Sequence, residues 1–371
     1  MKFGNSHPTR NDINRLWYHD VCTNEEIDRI LNVQNAEDYL LKLRADTIAD
    51  DIRLWRVFLN MAKTAGGKWS LERYFKPFGY DYILKCLNPE HRNICSKVTY
   101  GAIITSDPNG LIFESDYGIC STYSVAIRYF SFFSSLALLE LGEPIPLYVR
   151  LNAMRIAIRT MLQKESLDFE VDPRGIIPSE MLTILKPLYI AQIGFIAAHE
   201  YSHLINGDLR KGETIKLALI QSHFKNQTDY KMLNAYTSAQ HKEFKADIGA
   251  MTYPLMSKKQ YSYHYFATMM WFASLAIYEA AENYIFPPNG RQTHPGAKAR
   301  YNNLLENAPR PTDFDEEFYI KDLPELVSWW EEVIIEDVSE NFECYEVYGS
   351  TYLDAPDTKW RGKKLIDRID Y

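Results

Sequence analysis

The chain has 371 residues, 46% of them hydrophobic and 24% charged, a globular composition that excludes a wholly disordered or fibrous protein. That length accommodates one large or two modest domains. A net charge of -8 supplies no general attraction for phosphate backbones, so no nucleic-acid partner is expected.

The five cysteines, Cys22, Cys86, Cys95, Cys120 and Cys344, are odd in number and widely spaced without a CxxC pair, which reads as free thiols in a reducing compartment. Residues Met1 to Asn11 are polar and lack the apolar run of about 7–15 residues that a signal peptide needs. The most apolar stretches, Phe130 to Leu139, Leu188 to Ala198 and Phe266 to Ile277, each fall short of the roughly 18–20 residues of a membrane-crossing helix. The expectation is a cytoplasmic protein without a transmembrane segment.

From Asn24 to Met61 the apolar positions Ile27, Ile30, Leu31, Leu40, Leu41, Leu43, Ile48, Ile52, Leu54, Trp55 and Leu59 recur at mixed three- and four-residue spacing, as in packed amphipathic helices. Ala65-Gly66-Gly67 ends this pattern, and the chain up to Asn93 is rich in aromatics and prolines without a clear period. Val98, Tyr100, Ile103 and Ile104, the turn residues Asp107-Pro108-Asn109-Gly110, and then Leu111, Ile112 and Phe113 predict a β-hairpin over 98–114. Helical patterning returns over Ser121 to Leu141 and Leu147 to Leu162, with Gly142 and Pro144 at the break. Pro173, Gly175 and Pro178 predict a loop. Beyond Leu305 the segment Asp313 to Glu343 is acidic, with Leu323, Leu326, Trp330, Val333 and Ile334 spaced along one helix face and its charges turned to solvent. The tail from Asp354 is polar, with a basic run near Lys363. No self-similar repeat of about 20–50 residues is present.

These elements predict an α+β, predominantly helical chain with a small β-sheet or hairpin. Its expected divisions are a helical N-terminal region (1–96), a central domain carrying the chemistry (97–310), and an acidic helix with a C-terminal tail (311–371).

The segment Ile190 to Gly207 holds His199-Glu200-Tyr201-Ser202-His203 inside an apolar helical run ending at a glycine. Histidines at i and i+4 share one helix face about one turn apart, the spacing at which both imidazoles reach one tetrahedral Zn²⁺. Glu200, one residue on, can take a proton from an attacking water without itself holding the metal. An accidental HExxH, or a polar stripe on an exposed helix, gives the same letters. Here the stripe interrupts Ile190, Ile193, Phe195, Ile196, Leu204 and Ile205, and burying three unpaired polar groups among them would be costly. A catalytic zinc needs a third protein ligand and an open fourth position. In His241-Lys242-Glu243-Phe244-Lys245-Ala246-Asp247 the two acids again share one helix face, so Glu243 can ligate while Asp247 accepts the Nδ1 proton of a zinc histidine. A solvated Lys/Glu helix of the ordinary i,i+4 kind is the alternative reading of that segment.

HExxH, then Glu243-Phe-Lys-Ala-Asp247, then Thr293-His294-Pro295-Gly296-Ala297-Lys298-Ala299-Arg300 resemble, in the same order, the HExxH, ExxxD and HPxxxxR elements of gluzincin metallopeptidases of the HtpX and CAAX-prenyl-protease types. The match covers roughly Ile190 to Leu305; a looser similarity extends to Lit-type phage-exclusion peptidases. The resemblance implies a zincin-type metallopeptidase domain, Zn²⁺ as cofactor, and a protein or peptide substrate. It implies His199, His203 and Glu243 as metal ligands, Glu200 as general base, Asp247 as the residue orienting a ligand, and His294 and Arg300 lining the site. His294 would hydrogen-bond the oxyanion or the substrate backbone, although a loop histidine in a Pro-Gly turn is the plainer reading of its neighbourhood. His223, His241 and His264 match no role. The HtpX and prenyl-protease relatives are integral membrane proteins, and neither Asp208 to Gln240 nor the N-terminal part aligns with them, so substrate identity does not transfer. By analogy with the Lit type, the role would lie in phage defence or stress response. A non-catalytic sensor or interaction protein keeping the same fold is the competing expectation, and the intact Glu200 argues against it.

Overall fold

The computed structural model describes residues 15–75, 79–105, 109–142, 144–208, 215–218, 232–235, 240–287 and 295–353. The expected helices at the N-terminus form as α1 (Asn24–Leu31), α2 (Ala36–Asp50) and α3 (Ile52–Ala65). Each is started by a side chain that satisfies first-turn amides: Thr23 in a reciprocal capping box with Glu26, then Asn35 and Asp51. The aromatic stretch that showed no period folds as three short helices, α4 (Leu71–Tyr74), α5 (Tyr80–Cys86) and α6 (Pro89–Cys95).

The strands β1 (Thr99–Ile103) and β2 (Gly110–Ser115) lie where expected, but they do not pair with each other. A third strand, β3 (Gly118–Ser124), separates them in the order β1-β3-β2, parallel to β1 and antiparallel to β2. The hairpin therefore joins β2 to β3 through Asp116 and Tyr117, closed by Ser115 against Gly118. The expected turn residues Asp107 and Pro108 lie outside the described residues. The helix expected from Ser121 is instead preceded by β3, which takes up the hydroxyl-rich run Ser121-Thr122-Tyr123-Ser124. Those hydroxyl-bearing residues are buried, with the Ser121 hydroxyl on Tyr80 Oη at 3.1 Å.

The following helix consequently begins late, as α7 (Val125–Leu138), capped by Ser124. Next come α8 (Leu147–Met161), α9 (Ser179–Ile205), the antiparallel pair β4 (Ile215–Ala218) and β5 (Met232–Ala235), α10 (Gln240–Thr252), α11 (Lys258–Ile285), α12 (Ala297–Asn307), α13 (Leu323–Glu340) and α14 (Phe342–Glu346). The fold is thus α+β and predominantly helical, with a small three-stranded sheet. One continuous apolar cluster runs from Val21 to Leu353, so segments from both ends of the chain share a core with the centre.

At the middle lies α9, which packs against α7, α10, α11 and β2. It incorporates Pro187 and extends the apolar stretch 188–198 at both ends. Over its 27 residues it is long and apolar enough to cross a membrane by length and composition, and 61% of its most apolar window is buried inside the protein. Polar side chains on a helix so enclosed must find partners, which focuses attention on its C-terminal half.

Candidate metal centre

His199 and His203 project from α9, and Glu243 from the first turn of α10; all three are buried. The two helices approach closely because α10 presents Gly249 to Ser202: a methyl group at 249 would lie 2.7 Å from Ser202 Oγ. Three donor atoms converge as a result. His199 Nε2 lies 3.1 Å from His203 Nε2, and the Glu243 carboxylate oxygens lie 3.3 Å from His199 Nε2 and 3.5 Å from His203 Nε2. Ligands about 2.0–2.1 Å from a tetrahedral zinc are spaced by about 3.3–3.4 Å, and the two imidazole nitrogens and the carboxylate, which presents a different oxygen to each, stand at about that spacing. The carboxylate contacts are also longer than the roughly 2.7–2.9 Å of a charge-assisted hydrogen bond. The donor set therefore fits a cation shared among all three better than a closed ion pair.

The opposite ring nitrogens are held by carboxylates. His199 Nδ1 sits 2.9 Å from Asp247 Oδ1, and His203 Nδ1 sits 3.2 Å from Asp208 Oδ2. A proton donated from Nδ1 to each acid leaves the Nε2 lone pair facing Glu243, the tautomer that a metal requires. Arg300 from α12 locks the first of these acids with two bonds, Nε to Oδ2 at 2.8 Å and Nη2 to Oδ1 at 2.6 Å, while its guanidinium lies over the Phe272 ring. Burial alone would raise the Asp247 carboxyl, but Arg300 and His199 outweigh it and hold that carboxyl below the usual range. Burial likewise pushes His199 down, yet Asp247 and Glu243 overcome it and lift the imidazole up to about 10. The pocket thus favours a positive charge. Asp208, Glu200, Glu243 and Asp247 set four negative charges against Arg300, Lys242 and Lys245, and a cation at the centre, a proton on His199 or a metal ion in its place, answers the acid left over.

Glu200 lies one residue further round α9 and is itself buried. The outer strand β2 crosses it at Gly110, where a methyl group would stand 2.8 Å from Glu200 Oε1 and 2.6 Å from Ile196 Cγ2. A side chain at 110 would therefore displace the carboxylate, and glycine is what allows strand and acid to coexist.

Of the residues singled out in the sequence, His199, Glu200, His203, Glu243, Asp247 and Arg300 are brought to one place; His294 lies outside the described residues, as does His223. His241 is exposed, and buried His264 sits 3.4 Å from the Ala250 carbonyl, its imidazole pushed down to about 4 by burial. Asp208 and the two glycines were missed. Asp208 reaches His203 because Gly207, with φ 71°, turns the chain back so that the Asp208 amide donates to the His203 carbonyl. Its only sequence signal is an Asn-Gly-Asp run directly after the helix.

Compared with known proteins, the chain matches no protein family, no curated protein and no solved structure.

Proposed function

We propose that the chain is a zinc-dependent endopeptidase of gluzincin type acting on a protein or peptide of the cytoplasm. The observation that carries this reading is the convergence of three buried residues: His199 Nε2 and His203 Nε2 lie 3.1 Å apart, with Glu243 Oε2 3.3 Å from the first and Glu243 Oε1 3.5 Å from the second. Beside this donor set lies the buried Glu200.

Zinc held by His199, His203 and Glu243 would supply Lewis acidity toward a carbonyl and toward water. Asp247 and Asp208 orient the two imidazoles through Nδ1, and Arg300 fixes Asp247. Glu200 accepts the proton of the attacking water and delivers it to the departing amine. The strand β2, which touches Glu200 through Gly110 and also lies against β5, would flank an extended peptide bound at the site. Peptide hydrolysis is preferred over other hydrolyses because a β-strand crosses the proton-transfer residue, a setting in which an extended backbone can align.

Metal analysis of purified protein, together with identification of new protein N-termini in cells making either wild type or Glu200→Gln, tests the proposal. Wild type should carry about one zinc per chain and generate cleavage products. Glu200→Gln should keep the zinc and lose about 10²–10⁴-fold in rate, the usual contribution of a general acid–base. A wild-type protein that takes up no zinc, or a glutamine variant that cleaves as fast as wild type, overturns it.

A further inference from the structure

A second site lies on the same helix as the metal centre, far from it. A cavity of about 370 Å³ opens between α7, the first half of α9 and the loop carrying Phe169 and Glu170, a size suited to a small organic ligand. Its position is fixed by Lys186, which precedes His199 by 13 residues and so stands about 20 Å away along the helix axis.

Aromatic rings form most of the wall. Tyr129 and Phe169 stack with centroids 4.0 Å apart, Phe133 leans on Phe169 at 5.3 Å, and Phe132 meets Tyr189 edge-on at 6.2 Å. Rings arranged this way offer both faces and edges to a planar guest, which gains from offset or edge-to-face contact beyond simple burial.

The charges at the rim are unequal. Arg128 spreads its guanidinium between the Tyr129 and Tyr189 rings, 5.4 and 5.9 Å from their centroids, and pairs with Glu170 at 3.2 Å. Lys186 is exposed and has no acidic partner among the described residues. The wall's other guanidinium, Arg174, is fully buried and matched by Glu165, Asp168 and Asp172. One acid at the rim thus faces two cations. A cationic guest would find the tyrosine faces already occupied by Arg128 and would be repelled by Lys186. A neutral guest would leave Lys186 unanswered.

We propose that this cavity binds a small aromatic carboxylate, its ring among Tyr129, Phe133 and Phe169 and its carboxylate bridging Lys186 and Arg128. The site is independent of the metal centre and of the peptidase reading.

Calorimetric titration of the full chain with indole-3-acetate, indole-3-ethanol, tryptamine and decanoate tests it. The aromatic acid should bind, the alcohol about tenfold or more weakly for want of a charge-assisted hydrogen bond, and the amine not at all. Lys186→Gln should weaken the acid about tenfold and leave the alcohol unchanged, with an unaltered melting temperature because the side chain is exposed. Equal affinity for acid and alcohol, no effect of Lys186→Gln, or no binding of indole-3-acetate at millimolar concentration overturns the proposal. Decanoate binding as tightly as the aromatic acid overturns its aromatic part.

Discussion

Two of the charge clusters that the described residues bury are built on opposite plans. Around Glu165 the charges are closed by short contacts, save that Asp172 keeps one oxygen without a partner among the described residues and lies 3.3 Å from Arg174. Arg159 Nε donates to Oε2 at 2.8 Å and Arg174 Nε to Oε1 at 2.7 Å, while Arg174 Nη2 bonds Asp168 at 2.6 Å. The spare donors of Arg159 reach the carbonyls of Cys344, Val347, Gly349 and Lys164, and Glu165 also accepts from the Thr351 amide. Glu165 and both guanidinium groups are thus matched, and the cluster ties the C-terminal segment to α8. Around His199 the innermost atoms instead face one another at 3.1–3.5 Å, and the short contacts are displaced to the outer nitrogens and acids. A self-satisfied network holds structure, whereas an inward-facing donor set with satisfied outer atoms is arranged to hold something else.

The largest expected effect separates the two plans. Glu165→Ala strands two buried guanidinium groups and should cost about 3–5 kcal/mol of stability, with zinc content unchanged. In chelator-treated protein, Glu243→Ala takes one of two acids from His199, which keeps Asp247, and should cost about 1–2 kcal/mol, while the stabilisation that added zinc gives the wild type disappears. Denaturant unfolding with and without zinc measures both. If metal-free Glu243→Ala is as unstable as Glu165→Ala, the centre is a closed ion cluster and the comparison fails.

A smaller effect sharpens the same distinction. Asp208→Asn removes the charged acceptor from His203 Nδ1 and touches none of the three donor atoms, so zinc affinity should fall about 10–100-fold with little change in metal-free stability. Competition with a chromogenic chelator reads this directly. Unchanged affinity would show that Asp208 merely caps the end of α9.

What the sequence disclosed, and what it hid, follow from how local each feature is. The helices over 24–65 were legible because apolar spacing and capping residues lie within a few positions of one another. His199, His203, Glu243 and Asp247 were legible because each pair stands at i,i+4 on a single helix, the spacing a shared metal and its supporting acid would ask for, and Arg300 through the ordered third motif. The pairing of β3 between β1 and β2 was not, since its buried hydroxyls resemble a helix start and nothing local names a parallel partner. Gly110 and Gly249 act by lacking a side chain, so their meaning depends wholly on what approaches them: Glu200 in one case, Ser202 in the other. The Glu165 cluster joins residues up to 190 positions apart, beyond the reach of any periodicity.

The smallest expected effect is one of pH, and it probes the closed plan at its edge. Asp337 on α13 receives Arg155 Nε at 2.7 Å, a second bond from Arg155 Nη2, and the Tyr345 hydroxyl at 2.5 Å. Burial alone would raise this carboxyl, but those donors outweigh it and hold it below the ordinary value. A depressed folded-state pKa means that the unfolded chain takes up the proton first on acidification. The stabilisation is therefore complete above the unfolded value of about 4 and is lost as pH falls through the lower folded one. Melting temperatures of wild type and Asp337→Asn should lie furthest apart near neutrality and converge as the pH is lowered toward 3. A constant separation over that range would mean that Asp337 stabilises α13 by shape and neutral hydrogen bonding alone. In that case short contacts around a buried acid would not suffice to identify a charge-closed cluster, and the contrast with the metal centre would rest on the Glu165 network alone.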